Sequence, residues 1–380
     1  MRILFISTMG GQPWGGSEEL WFGAAMEAIQ RNHTVVVSVF DWQPVPEKIK
    51  KLENAGAKIM RQAVPTTDRK TSLTRKIKTR LHLERDNYDV LAGIEVDVIC
   101  VSQGSLFDLL SLPGYRKMIQ TGNIPYGLIL QHNVETGVSM SRERRAMAKK
   151  VFLQASGLFF VSQRNLEVTE RQLATALPQA VVVSNPLNMS NRDIVSWPAT
   201  DKIKMACVAR HDVRYKGQDV LLKALSTETW RTRNYMLTLF GSGADTDYLK
   251  ELIDFYRLSG KVVFGGHVHD IAAIWTENHL LVLPSHSEGT PLSLLEAQIC
   301  GRPAIGTDVG DMGRFILEGQ TGFLSPCSNV QYLSEALERM WDNRHRLEQM
   351  GTEARCHVLQ LINPNPGANL LDHLEKMATK

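Results

Sequence analysis

Long apolar runs are missing from this 380-residue chain. No span of 18 apolar residues occurs, which excludes a membrane-crossing helix on the usual length argument. Cysteine is sparse: Cys100, Cys207, Cys300, Cys327 and Cys356 are scattered, with no CxxC or other metal spacing. That removes a thiolate metal site and a disulfide framework, and suits a reducing cytosol. There is no internal repeat and no low-complexity tract. Charge of one sign is not in excess either, since 43 Lys and Arg face 40 Asp and Glu, net +3. No DNA- or RNA-binding motif accompanies the cations, so no nucleic-acid partner is expected. The apolar run at Arg2–Thr8 is short and leads into glycines, so no signal peptide is expected.

What is present is an α/β alternation of apolar runs and amphipathic stretches, occurring twice, around Arg2–Val183 and Lys204–Leu347. A chain this long is too large for one core, and 43% apolar residues can pack two. Two doubly wound parallel sheets with a cleft between them are expected. Asn185-Pro186 and Trp197-Pro198 mark the linker, where prolines interrupt the pattern.

The most informative segment is Leu281–Thr307, LVLPSHSEGTPLSLLEAQICGRPAIGT. Leu280–Leu283 reads as a buried strand, Thr290 as a helix cap and Pro291 as the first helical residue. The amides at Thr290–Ser293 and the positive end of the helix dipole form an anion site, and Gly289 lets backbone approach a phosphate. Glu296 falls beside a packing stripe of Leu292, Leu295 and Ile299. A buried carboxylate needs a cation or a pair of hydroxyls, which a ribose diol supplies; pairing with Arg302 on the surface is the alternative.

Glu288, Glu296, Ala297, Gly301 and Pro303 resemble the Glu-x7-Glu and Gly-x-Pro signature of retaining glycosyltransferases of the GT-B fold, sequence family 4. The resemblance implies that Glu288 contacts the transferred sugar, that Glu296 holds the nucleotide ribose, and that Gly289, Thr290, Pro291 and Leu292 line the donor site. It extends to Met205–Leu225, where Arg210 and then Lys216-Gly217 match the family's pair of cations at a strand-to-helix junction. Two cations there suit a diphosphate, because they neutralise charge growing on the leaving group. Gly243, ending MLTLFGSG, and His267 and Val268, ending VVFGGHV, match turns that meet the nucleotide. Thr307–Leu324 departs from the pattern, with Gly310-Asp311 and Gly313-Arg314 where the family often has Gly-Gly and then Glu.

In the first half, Gly15-Gly16-Ser17-Glu18 resembles the family's glycine loop facing the donor diphosphate. The spacing Gly10, Gly11, Gly15, Gly16 does not form the Gly-x-Gly-x-x-Gly of dinucleotide-binding chains. His132, ending GLILQH, occupies the place of the histidine that approaches the transferred sugar, and ligands do bind at strand carboxyl ends in such sheets. The implied domains are 1–190, an acceptor domain joined by a returning helix at 363–380, and 191–362, the nucleotide-sugar domain.

Two apparent metal motifs carry no metal in this reading. Asp245-Thr246-Asp247 follows a glycine turn and caps a helix. His267-Val268-His269 offers two ligands without a third. The segment Arg69–Arg85 holds seven Lys and Arg against one Glu, with Leu73, Ile77 and Leu81 on one helical stripe. It is either a site for an anionic membrane surface or a solvated helix. The resulting expectation is a cytoplasmic retaining transferase, peripheral to the membrane, metal-independent and without a cofactor. It would use a nucleotide-sugar and a glycan or lipid-linked acceptor. A nucleotide-sugar epimerase and a non-enzymatic nucleotide-sugar binding protein are the alternatives.

Overall fold

The computed structural model describes the chain apart from residues 64–90, 92, 136–138, 188, 190, 191, 269 and 380. The basic segment Arg69–Arg85 and His269 therefore lie outside the described residues. The chain divides into two compact units, Met1–Pro186 with Asn363–Lys380, and Leu187–Ile362.

The first unit is built on a seven-stranded sheet, ordered β3-β2-β1-β4-β5-β6-β7. Its strands are β1 Arg2–Ser7, β2 Thr34–Phe40, β3 Lys58–Gln62, β4 Val98–Gln103, β5 Tyr126–Leu130, β6 Gly157–Phe160 and β7 Ala180–Val182. Neighbouring strands all pair in parallel. Central β4 is buried at every residue and β1 at all but Arg2, as expected when both faces are covered. Helix Glu19–Gln30 turns its small side toward helix Pro366–Ala378: Ala24, Ala25 and Ala28 are fully buried, and Gly23 meets Gly367. A Cβ on Gly367 would come within 2.6 Å of the Gly23 backbone, so the close approach requires glycine. Arg31 then reaches Asp372 at 2.6 Å and Glu375 at 3.2 Å, pinning the C-terminal helix to this unit.

The second unit carries a six-stranded parallel sheet, ordered β10-β9-β8-β11-β12-β13. Its strands are β8 Ile203–Val208, β9 Tyr235–Phe240, β10 Val262–Gly266, β11 Leu280–Leu283, β12 Ala304–Thr307 and β13 Gly322–Ser325. Buried clusters cover both of its faces. In each sheet the chain order reverses once, between β1 and β4 and between β8 and β11. Ligands of such sheets bind at the carboxyl ends of the strands at that reversal.

Helices Val330–Asp342 and Leu347–Leu361 follow the sheet; Asn343 folds its amide back onto the Arg339 carbonyl at 2.8 Å and ends the first. One detail differs from the sequence reading. Trp197-Pro198 belongs to the second unit and is not linker: the Trp197 ring stands edge-on to His279 and beneath the Arg302 guanidinium.

Candidate functional site

The reversal in the second sheet brings together two segments that lie far apart in sequence. Strand β8 delivers Arg210 and the short helix Val213–Lys216, and β11 delivers Ser285–Thr290. Lys216 Nζ lies 2.7 Å from Glu288 Oε1 across 72 residues of sequence. Ser285, fully buried, donates to the same oxygen at 2.7 Å. Glu288 is only 7% exposed, and a carboxylate at that depth needs this cation and hydroxyl to offset its desolvation.

Gly217 makes the pair possible. Its φ of +62° ends the short helix in the left-handed region, and any Cβ there would collide with the Pro284 carbonyl. The two loops are laced together by His286 N donating to Tyr215 O at 2.9 Å, and Ser328 donates to Pro284 O at 2.6 Å. Arg210 stands at the same strand end, half exposed, with Nη2 2.9 Å from Asp212.

Following Glu288, helix Leu292–Ile299 starts one residue later than its sequence suggests. Pro291 is the cap position, and the Thr290 hydroxyl donates to Asp311 Oδ2 at 3.3 Å. Proline has no donor of its own, and the buried Asp311 carboxylate competes for the hydroxyl. Asp311 N in turn donates to Gly289 O at 3.0 Å. Gly310, with φ of +54°, packs so tightly on the Glu288 and Gly289 carbonyls that no side chain fits. The Gly310-Asp311 departure from the family pattern is therefore the brace of the Glu288 loop.

Glu296 is 6% exposed on a helix buried from Leu294 through Ile299; Leu292 is half-buried. Arg302, its alternative partner, is committed elsewhere. The guanidinium is buried and donates to the carbonyls of Trp275, Asn278 and Cys300, and burial lowers its pKa to about 10.

Asp245 occupies the cap position of helix Thr246–Phe255 but makes no capping bond. Its carboxylate accepts from Val213 N at 2.8 Å, at the start of the Lys216 helix. Thr246 meets buried His211 Nδ1 at 2.9 Å, and Gly243 packs on the His211 backbone. The turn after β9 thus holds the cation loop in place. Burial also lowers the His211 pKa. His267 is exposed and Val268 half-buried just beyond β10 at the sheet edge, two strands from β8. Among the described residues no group of three His, Cys, Asp or Glu side chains is arranged for a metal ion.

In the first unit, Gly15 is extended and Gly16–Glu18 form a single 3-10 turn before the helix. The Ser17 carbonyl accepts from Gln131 Nε2 at 3.1 Å, and Gln131 and Asn185 exchange reciprocal amide bonds. His132, half-buried, follows β5. Glu18 is 3% exposed and its Oε1 has no hydrogen-bond partner. Burial pushes its pKa up to about 7; Ser7 and Trp21 ease part of the shift and the Glu19 charge adds to it.

Ser285, Gly310, Asp311 and Asp245 were not legible as site residues from spacing. The one available signal was glycine next to the motif residues, which marks tight backbone approach without saying to what.

Residues 190–357 match the family model described as glycosyl transferases group 1. Over 374 residues the chain is 24% identical to an exopolysaccharide phosphotransferase of Streptomyces coelicolor, covering 93% of this chain and 38% of that protein. Over 151 residues it is 33% identical to the D-inositol 3-phosphate glycosyltransferase of an Arthrobacter species, covering 38% of this chain and 36% of that one. The chain therefore spans well under half the length of these relatives. Its fold is similar to Anabaena HepE in complex with UDP and glucose, with a TM-score of 0.72 at 18% identity over 100% of this chain and 99% of that chain. It is similar also to sucrose-phosphate synthase of Thermosynechococcus elongatus, with a TM-score of 0.75 at 18% identity over 100% and 99% of the two chains. The chain has the GT-B fold, and residues 190–357, in its second unit, are similar to glycosyl transferases group 1.

Proposed function

We propose that this chain is a retaining, metal-independent glycosyltransferase that moves a sugar from a nucleotide-sugar to an acceptor hydroxyl on a glycan or lipid-linked glycan. The observation that carries the reading is the 2.7 Å Lys216–Glu288 pair at the sheet reversal, which joins a diphosphate-type cation to a sugar-type carboxylate. Arg210 and Lys216 stabilise the departing nucleoside diphosphate. Asp212 and Glu288 hold these two side chains at the strand ends. Glu288 and His132 hold the sugar, Glu296 holds the ribose diol, and Gly243, His267, Val268 and Gly289–Leu292 line the nucleotide. Gly15 and Gly16 approach the diphosphate, and the first unit takes the acceptor.

Among the described residues no side chain offers itself as a nucleophile toward the anomeric carbon, which favours substitution on the front face. The anomeric carbon–phosphate oxygen bond breaks as the acceptor oxygen bonds from the same side, and the acceptor proton passes to the leaving phosphate. Two cations supply the charge stabilisation, and neither a metal nor a cofactor enters. The Streptomyces relative's phosphotransferase name belongs to a protein much longer than the aligned stretch, so it does not displace this reading.

Thermal-shift screening of UDP-, GDP- and ADP-sugars identifies the donor, since a ligand at 100 times its Kd stabilises by about 2.7 kcal/mol. NMR of the product then reads the anomer. Lys216→Ala lowers turnover about a hundredfold or more, as expected for loss of a group that stabilises developing charge. Activity within a few fold of wild type, an inverted product, or an isomerised free sugar defeats the proposal.

A further inference from the structure

Between Arg210 and Lys216 the loop after β8 buries a single residue, His211, which is 1% exposed and has no part in the chemistry above. Its backbone is clasped by the turn after β9: His211 N donates to Ser242 O at 3.1 Å, and Asp245 N donates to His211 O at 3.2 Å. A Cβ on Gly243 would fall 2.2 Å from that same carbonyl, so only glycine lets the turn come this near. The imidazole reaches further. Its Nδ1 lies 2.9 Å from Thr246 Oγ1, and the ring stands edge-on to Phe264 of β10 with centroids 5.5 Å apart.

The hydrogen bonds decide which ring nitrogen carries the proton. Thr246 Oγ1 donates to Gly243 O at 2.8 Å and accepts from Gly243 N at 3.2 Å. The hydroxyl has one proton, already given to Gly243, so Nδ1 is the donor to Thr246 and Nε2 is the bare acceptor. Nε2 is buried, and among the described residues it has no hydrogen-bond partner. A second proton there would be a charged N–H with nothing to accept it, a heavy penalty in an apolar place. The ring can be charged only by swinging out, which breaks the Thr246 bond and empties the space between the Gly243 turn and β10. The charged groups nearby are engaged with one another. On its own loop Arg210 pairs with Asp212 at 2.9 Å and Lys216 with Glu288 at 2.7 Å. On the next helix Asp245 holds Val213 N and Asp247 pairs with Lys250, while β10 presents Phe264 and leads to exposed His267. Burial holds the folded ring's pKa below the ordinary 6.5. The neutral ring therefore favours the closed arrangement above pH 6.5, and that contribution declines as pH falls from 6.5 to the folded ring's own lower value.

We infer that His211 is a positioning residue for the donor: its neutral Nδ1–H ring locks the Gly241–Gly243 turn to the Arg210–Lys216 loop, and a nucleotide-sugar is held only while the ring carries no second proton. The inference rests on the nucleotide-sugar reading above. It adds a proton-dependent clasp at a side chain that acts through its neighbours and not on the donor itself.

The test follows binding of UDP-, GDP- and ADP-glucose to the full chain by calorimetry from pH 8 to 5. The diphosphate of a nucleotide-sugar stays ionised over that range, so a change in affinity reports the protein. Wild-type affinity falls about fivefold or more from pH 8 to 5, with at most about a tenfold loss per pH unit for one proton. His211→Asn places an amide N–H where Nδ1–H stood and cannot titrate; it binds within about threefold of wild type at pH 8 and lacks the acid fall. His211→Leu fills the space without a donor and binds about tenfold more weakly at every pH. Should either variant fail to fold, two measurements still decide: Thr246→Val, which removes the same bond from the other side, weakens binding about tenfold at pH 8, and 15N NMR of the wild-type imidazoles shows an Nδ1–H ring. A flat wild-type profile, the same acid fall in His211→Asn, leucine and valine variants that bind like wild type, or an Nε2–H ring overturns the inference. Failure of all three nucleotide-sugars to bind wild type at pH 8 overturns the underlying reading, and this inference with it, so the two failures are distinguishable.

Discussion

Replacing Glu18 by Gln should make the protein more stable near neutral pH, and the size of the gain follows from the burial of the side chain. Its carboxyl is raised from an ordinary 4.5 to about 7 in the folded chain, first by desolvation and then by the neighbouring Glu19 charge. At about 1.36 kcal/mol for each tenfold change in proton affinity, the difference amounts to roughly 3 kcal/mol. The sign is fixed by which state holds the proton. Below pH 4.5 both the folded and the unfolded chain are protonated at this position, and the stability linked to it is fully present. Between 4.5 and 7 the unfolded chain ionises while the folded one does not, so stability falls as pH rises. Above 7 the folded carboxyl ionises too and the loss levels off. Glutamine cannot titrate, so the gap between variant and wild type should open by roughly 3 kcal/mol from pH 4.5 to 7.5. For a unit of this size that is roughly 6–12 °C in melting temperature. Urea or thermal unfolding of both proteins at half-unit pH steps, with a tryptophan signal from the first unit, measures it. A gap that stays constant across the range would mean that Glu18 is ionised in the folded protein, and the reasoning about its environment would fail.

Asp245→Ala should lower donor turnover about tenfold by freeing Val213 N and loosening the Lys216 loop; excess EDTA should leave wild-type turnover unchanged, and rescue by manganese would show instead that Asp245 serves a metal. Gly217→Ala should destabilise the second unit by more than about 2 kcal/mol, since it combines a left-handed backbone with a collision on Pro284; a melting temperature within a degree of wild type would contradict the tight packing of the two loops. For Arg69–Arg85, the expectation is co-sedimentation with anionic but not neutral vesicles, weakened by roughly 4 kcal/mol when Arg75, Lys76, Lys78 and Arg80 become Ser. Equal sedimentation of both proteins would mark the segment as a solvated face.

Periodicity and punctuation alone located the elements that carry the site. Leu280–Leu283 is a strand to the residue because four apolar residues between breakers have only one compact use in a parallel sheet. The run Arg2–Thr8 holds β1 but overshoots it by one residue, and a motif spacing that resembles a known signature placed Glu288, Glu296, Arg210 and Lys216 at strand ends and on the following helix. Spacing could not decide which of these side chains meet, because Lys216 and Glu288 are joined by sheet order, with β11 lying beside β8, and not by sequence order. The same limit hid the braces. Asp245 reads locally as a helix cap and Thr290 as another, yet each bonds to a backbone or carboxylate that a neighbouring strand brings near. Glu18 reads in sequence only as the last residue of the Gly15-Gly16-Ser17-Glu18 loop, and only the packing of β1, β2 and the aromatic loop around it removes the water that would have kept it ordinary. Local pattern determines which residues can form an element, whereas burial and partnership depend on segments that chain topology brings into contact, and those are fixed only when the sheets assemble.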